Sequence, residues 1–78
     1  MARRRATAEV IQAEMQKWIR ASTEHDGACR GCEAPIPLAL AAPRDGCNWT
    51  ASFSKVLPGC QSFMTEIIDR ARREYDLL

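Results

Sequence analysis

The stretch that decides the fold runs Ile36-Pro37-Leu38-Ala39-Leu40-Ala41-Ala42-Pro43-Arg44-Asp45-Gly46-Cys47-Asn48-Trp49-Thr50-Ala51-Ser52-Phe53. Ile36, Leu38 and Leu40 alternate with Pro37, Ala39 and Ala41; beyond residues 43–46, Cys47, Trp49, Ala51 and Phe53 alternate with Asn48, Thr50 and Ser52. A period of two on both sides of a Pro/Asp/Gly turn predicts an antiparallel β-hairpin with strands over 36–41 and 47–54. If residues 43–46 form the loop, Leu40 faces Trp49, Leu38 faces Ala51 and Ile36 faces Phe53, which collects the large apolar side chains on one face. A slip of one residue would turn one strand's set to the other side. Pro35 and Pro37 carry no amide donor, so the first strand is expected at the edge, its proline side toward solvent.

Amphipathic helices flank the hairpin. On the N-terminal side Ile11, Met15, Trp18, Ile19 and Ser22 recur at spacings of three and four, with Gln12, Glu14, Gln16, Lys17 and Arg20 on the other face. This predicts a helix over about 7–25, capped by Thr7 and ended by Gly27 in a left-handed conformation. On the C-terminal side Met64, Ile67, Ile68, Ala71 and Tyr75 form an apolar stripe, and Glu66–Arg70 and Asp69–Arg73 stand at i,i+4. Here the expectation is a helix over about 61–75, opened after Pro58-Gly59 with Ser62 or Gly59 as cap. The order is α-β-β-α, an α+β domain with two helices packed on one face of the hairpin, which brings Trp18, Trp49, Phe53, Met64 and Ile68 together. The 78 residues suit a single domain, with residues 1–6 a flexible basic N-terminus.

Composition narrows the function classes. The chain is 46% hydrophobic and 27% charged, with a formal net charge of +1; it is apolar enough to fold and carries no overall field to gather nucleic acid or anionic lipid. Glu9, Gln12, Glu14 and Gln16 interrupt the apolar run that an export signal needs after Arg3-Arg4-Arg5, and no run is long enough for a membrane span, so the expected location is the cytoplasm. Asn48-Trp49-Thr50 spells a glycosylation sequon that such a location leaves unused.

The four cysteines are the main candidates for chemistry. Cys29-Arg30-Gly31-Cys32 places two thiols three residues apart, a spacing that suits zinc or a redox disulfide. A dithiol active site needs a helix after its first cysteine, whereas Glu33-Ala34-Pro35-Ile36-Pro37 follows. Cys47 and Cys60 do not form a second close pair. Extending the hairpin register, in which paired residue numbers sum to 89, brings Cys29 or Cys32 towards Cys60 and leaves Cys47 at the turn, buried beside Trp49. A zinc site is therefore confined to Cys29, Cys32 and Cys60, with His25 as the candidate fourth ligand. The favoured reading is reduced, buried thiols with no cofactor, as is usual for cytosolic cysteines.

The remaining chemistry is sparse. A single histidine and scattered carboxylates form no nucleophile-base pair, and no glycine-rich phosphate loop is present, so an enzyme is not expected. Arg3, Arg4 and Arg5 together with Arg70, Arg72 and Arg73 offer a weaker route to nucleic acid, opposed by the interleaved Glu66, Asp69, Glu74 and Asp76. The sequence thus points to a small non-enzymatic binding or adaptor protein that meets a protein partner or itself, with the zinc-stabilised module and the nucleic-acid binder as alternatives.

Overall fold

The computed structural model describes residues 3–44, 46–52 and 56–78, and of residues 24–26 and 44 the backbone alone. The architecture is α+β: helix α1 (Ala8–Ala21) and helix α2 (Gln61–Glu74) flank an antiparallel hairpin of β2 (Leu38–Arg44) and β3 (Cys47–Thr50). A parallel pair joins the two ends of the chain, β1 (Arg4–Ala6) lying against β4 (Tyr75–Leu77). Residues 4–6, within the stretch expected as a flexible terminus, form strand β1, with Arg4 opposite Tyr75 and Ala6 opposite Leu77. Parallel strands cannot be joined by a tight turn, so their pairing leaves no local signature in the sequence.

Helix α1 begins where expected, the Thr7 hydroxyl accepting the Val10 N–H at 3.3 Å. Ile11, Met15 and Ile19, four residues apart, are its buried stripe. The helix stops at Ala21, before the expected end near residue 25, because Ser22 turns extended at φ −70°, ψ 139°. Serine and threonine compete for the backbone through their hydroxyls, and Ser22-Thr23 falls where the last turn would have continued. A 3₁₀ helix, Glu24–Gly31, follows, and Gly27 takes the anticipated left-handed conformation, φ +81°, inside it.

Helix α2 buries Phe63, Met64, Ile67, Ile68 and Ala71. Cys60, rather than Ser62 or Gly59, occupies its N-cap position, and no side-chain oxygen caps it. The turn is closed by backbone bonds, Cys60 N–H to the Leu57 carbonyl at 3.0 Å and Met64 N–H to the Cys60 carbonyl at 2.9 Å. At the other end, where the last carbonyls of a helix lack partners, Arg3 Nε donates to the Arg72 carbonyl at 2.7 Å.

The hairpin forms in a different register from the one the alternation suggests. Ala39, not Leu40, faces Trp49; Leu38 faces Thr50; and Arg44 faces Cys47. Residues 40–43 thus stand against Asn48 alone, an enlarged bulge ahead of the turn. The shift reverses the first strand: Ala34, Pro35 and Pro37 are buried, while Ile36 and Leu38 are 59% and 56% exposed. The prolines thus face inward, where a missing amide donor leaves nothing unsatisfied. Phe53, expected opposite Ile36, lies outside the described residues.

The second strand ends at Thr50, short of the expected 54, but its Cys47 and Trp49 face inward as anticipated. Trp49 is fully buried with Met64 and Ile68, while Trp18 packs on that cluster from a partly exposed position. The β3 strand meets both α2 and β4. Trp49 Nε1 donates to the Tyr75 carbonyl at 3.0 Å, and Arg72 Nε donates to the Trp49 carbonyl at 3.0 Å. Asn48 acts as a substitute peptide unit, its amide giving to the Leu77 carbonyl and accepting the Leu77 N–H, both at 2.8 Å. The Trp49→Ala variant should lose about 3–5 kcal/mol in urea unfolding, enough to leave a domain of this size largely unfolded. An unchanged midpoint would contradict the core described.

Candidate functional site

Three regions bear on function. The first is the cysteine cluster. Cys29 and Cys60 are joined by a disulfide with their Cα atoms 5.9 Å apart, while Cys32 and Cys47 are buried free thiols. The expected approach of Cys29 to Cys60 is therefore present, although among the described residues the β2–β3 pairing runs no further than Leu38 and Thr50; the bond ties the 3₁₀ helix to the residue that opens α2. This corrects the reading of all four cysteines as reduced. In the chain-entropy view, closing a loop over a separation of 31 residues contributes roughly 3–4 kcal/mol. Cys47 sits apart beside Trp49, its sulfur 4.0 Å from the same Tyr75 carbonyl that takes the indole N–H.

With Cys29 and Cys60 bonded, two of the expected zinc ligands have no thiolate to offer, and the His25 side chain lies outside the described residues. Among the described residues no group of three His, Cys, Asp or Glu side chains is placed to hold a metal ion.

The second region is basic. The β1–β4 pair carries Arg3, Arg4 and Arg5 to the end of α2, so the two arginine clusters do meet. Arg3, Arg72 and Arg73, with Asp69 and Cys47, surround a recess of about 190 Å³. Much of this cationic capacity is engaged inward. Arg3 donates to the Arg72 and Gly46 carbonyls and Arg72 to the Trp49 carbonyl. Arg70 lies over the Trp18 ring, 3.9 Å from its centroid, and pairs with Glu74 at 3.0 Å. Arg4 and Arg5 are exposed.

The third region lies along the hairpin's edge strand, the expected place for a partner or a second copy if the helices left one face of the hairpin uncovered. Two glutamines on α1 hold the segment ahead of β2. Gln16 accepts the Ala34 N–H at 2.9 Å and donates to the Cys32 carbonyl at 3.2 Å, and Gln12 donates to the Ala34 carbonyl at 3.0 Å. Their amides do what a neighbouring strand would do, anchoring residues 32–34 against the helix. Beyond that anchor, Ile36 and Leu38 stand at the mouth of an open hollow of about 580 Å³ that also borders Gln12, Gln16, Arg20 and Glu33. Ala39, Ala41, Ala42 and Pro43 are exposed as well. From Ala34 to Pro43 the sequence contains no charged residue. The alternation of Ile36 and Leu38 was visible in the sequence, but the inverted register, and hence their exposure, was not.

Among the described residues no helix is long and apolar enough to cross a membrane. Comparison with known proteins finds no matching family model, no matching curated protein and no matching solved structure.

The division between inward-facing and exposed arginines is testable by thermal or urea unfolding. Arg3→Ala should cost about 1–2 kcal/mol, since it leaves two carbonyls without their donor. Arg5→Ala should stay within about 0.5 kcal/mol of the parent. Equal effects for the two variants would contradict a capping role for Arg3.

Proposed function

We propose that this chain is a small non-enzymatic contact module whose working surface is the outer edge of β2 and the hollow beside α1, and that its first partner is a second copy of itself. The observation that carries the reading is the exposure of Ile36 and Leu38, 59% and 56%, within an uncharged edge segment. Folded proteins commonly protect such edges with lysine, charge or a covering element, because an open strand invites another to pair with it. Here β2 carries Leu-Ala-Leu-Ala-Ala-Pro before Arg44. A neutral edge has no like-charge repulsion against its own copy, and an isolated two-stranded sheet gains stability when further strands join it. The bulge over 40–43 and Pro43 limit the pairing to the Ile36–Leu40 end, adjoining the hollow.

A cytoplasmic site of action belongs to this reading. It requires the Cys29–Cys60 bond to form and break, since persistent disulfides are rare in a reducing compartment. A second reading, contact with phosphates of a nucleic acid, draws support from the meeting of the two arginine clusters. It is weaker because Arg3 and Arg72 donate to backbone carbonyls and Asp69 lines the same recess; its mark would be retention on a phosphate matrix that falls steeply with salt.

Sedimentation velocity over a concentration series tests the main reading. The parent chain should pass from monomer to dimer below about 1 mM, equivalent to roughly 4 kcal/mol of association. Leu38→Lys should remain monomeric with an unchanged melting temperature. A parent chain that stays monomeric throughout the series would overturn self-association, and dimers persisting in Leu38→Lys would move the interface elsewhere.

A further inference from the structure

We propose that Cys29, Cys32 and Cys60 form an intramolecular thiol–disulfide exchange site, in which Cys32 displaces Cys60 from its bond with Cys29. The site is separate from the β2 edge and does not depend on that reading.

The geometry starts from the 3₁₀ helix. Cys29 lies near its end and Cys32 is its C-terminal cap, with the Cys32 N–H donating to the Cys29 carbonyl at 3.1 Å. A hydrogen bond from residue i+3 back to residue i holds the two Cα atoms within about 7 Å, and disulfides span Cα separations of roughly 4.4–6.8 Å. Side chains three apart on a 3₁₀ turn also eclipse one another. Cys29 and Cys32 are accordingly buried together, both at 0% exposure, in the cluster that contains Cys60. Cys29 thus has two cysteines within bonding range, Cys60 across the fold at 5.9 Å between Cα atoms and Cys32 along the chain. The sequence motif Cys29-Arg30-Gly31-Cys32 supplies the second of these, and neither the core nor the contact surface requires its second member to be a thiol.

The step balances without any external oxidant. Cys32 releases its thiol proton to solvent, and its sulfur attacks Sγ of Cys29. The Cys29–Cys60 bond breaks, and Cys60 leaves as a thiolate that takes up a proton. One disulfide and one thiol are present before and after. The attacking thiolate becomes reachable when the 3₁₀ helix opens, and such turns have poorer hydrogen-bond geometry than α-helix. The product differs in what it constrains. In the Cys29–Cys60 form residues 30–59, which include the hairpin, are closed into a loop; in the Cys29–Cys32 form the start of α2 is untied from the 3₁₀ helix.

Tryptic mapping of the full chain reads the exchange directly, because cleavage after Arg20, Arg30, Arg44, Lys55 and Arg70 puts each cysteine on its own peptide: 21–30, 31–44, 45–55 and 56–70. Oxidised protein is incubated without added thiol between pH 7 and 9, quenched in acid, alkylated with N-ethylmaleimide and digested. Peptide 21–30 should be linked to 56–70 at the start, and a 21–30 to 31–44 pair should then grow in. Its rate should rise about tenfold per pH unit while the attacking group is mainly a thiol. Cys32→Ser and Cys32→Ala should both abolish the second pair, whereas Cys47→Ser should leave it. The proposal is overturned if 31–44 is recovered only as the alkylated peptide at every pH and time, if the starting bond is absent, or if 45–55 enters disulfides as readily as 31–44, which would indicate scrambling of unfolded chains.

Discussion

Trp49 is the residue on which the other elements converge. Its ring is fully buried in the hydrophobic core on a strand that packs against α2 and β4, its indole N–H is bonded to β4 at Tyr75, and its carbonyl receives Arg72 of α2. Burying so large a side chain stabilises by about 2–3 kcal/mol of transfer free energy, and the two hydrogen bonds fix how the strand must lie while doing so. Asn48 adds a third constraint by bonding both backbone groups of Leu77. Together these contacts join β3 to the strand that pairs with the N-terminus, and the two ends of the chain are thereby locked to its middle.

That joint determines what the first hairpin strand can do. Once β3 is committed inward to α2 and β4, β2 is left on the outside, and the glutamine clamp from α1 positions only its approach at residues 32–34. Ala34, Pro35 and Pro37 fill the inner positions, so the larger Ile36 and Leu38 turn outward. The exposed edge is thus a consequence of where β3 is held. The disulfide acts at a different place, across the open end of the same segment, and its exchange to Cys32 loosens the hairpin's attachment without touching the Trp49 joint.

Much of this was legible in the sequence and some was not, for identifiable reasons. Helix periodicity located the buried stripes of α1 and α2, and Thr7 marked a true N-cap. The fully buried position of Trp49 followed from alternation on its own strand. The register failed because alternation of Ile36, Leu38 and Leu40 carries no information about which face is inward when alanines and prolines fill the alternate positions; the bulge over 40–43 then absorbed the offset. The β1–β4 pair was invisible because its partners lie at opposite ends of the chain, and Arg3-Arg4-Arg5 reads as a charged tail until Arg3 is seen capping α2. The Cys29–Cys60 neighbourhood was anticipated; its oxidation was not, since spacing says where sulfurs meet and the compartment decides whether they bond.

Hydrogen exchange of the two indole N–H protons, followed by NMR in deuterated solvent, tests the role of Trp49 most directly, with the partly exposed Trp18 as internal reference. The Trp49 indole proton should exchange only through global unfolding, at the rate of the slowest core amides, while that of Trp18 exchanges much faster. Rapid exchange of both indoles under native conditions would contradict the joint between β3 and β4 and the outward placement of β2 that depends on it.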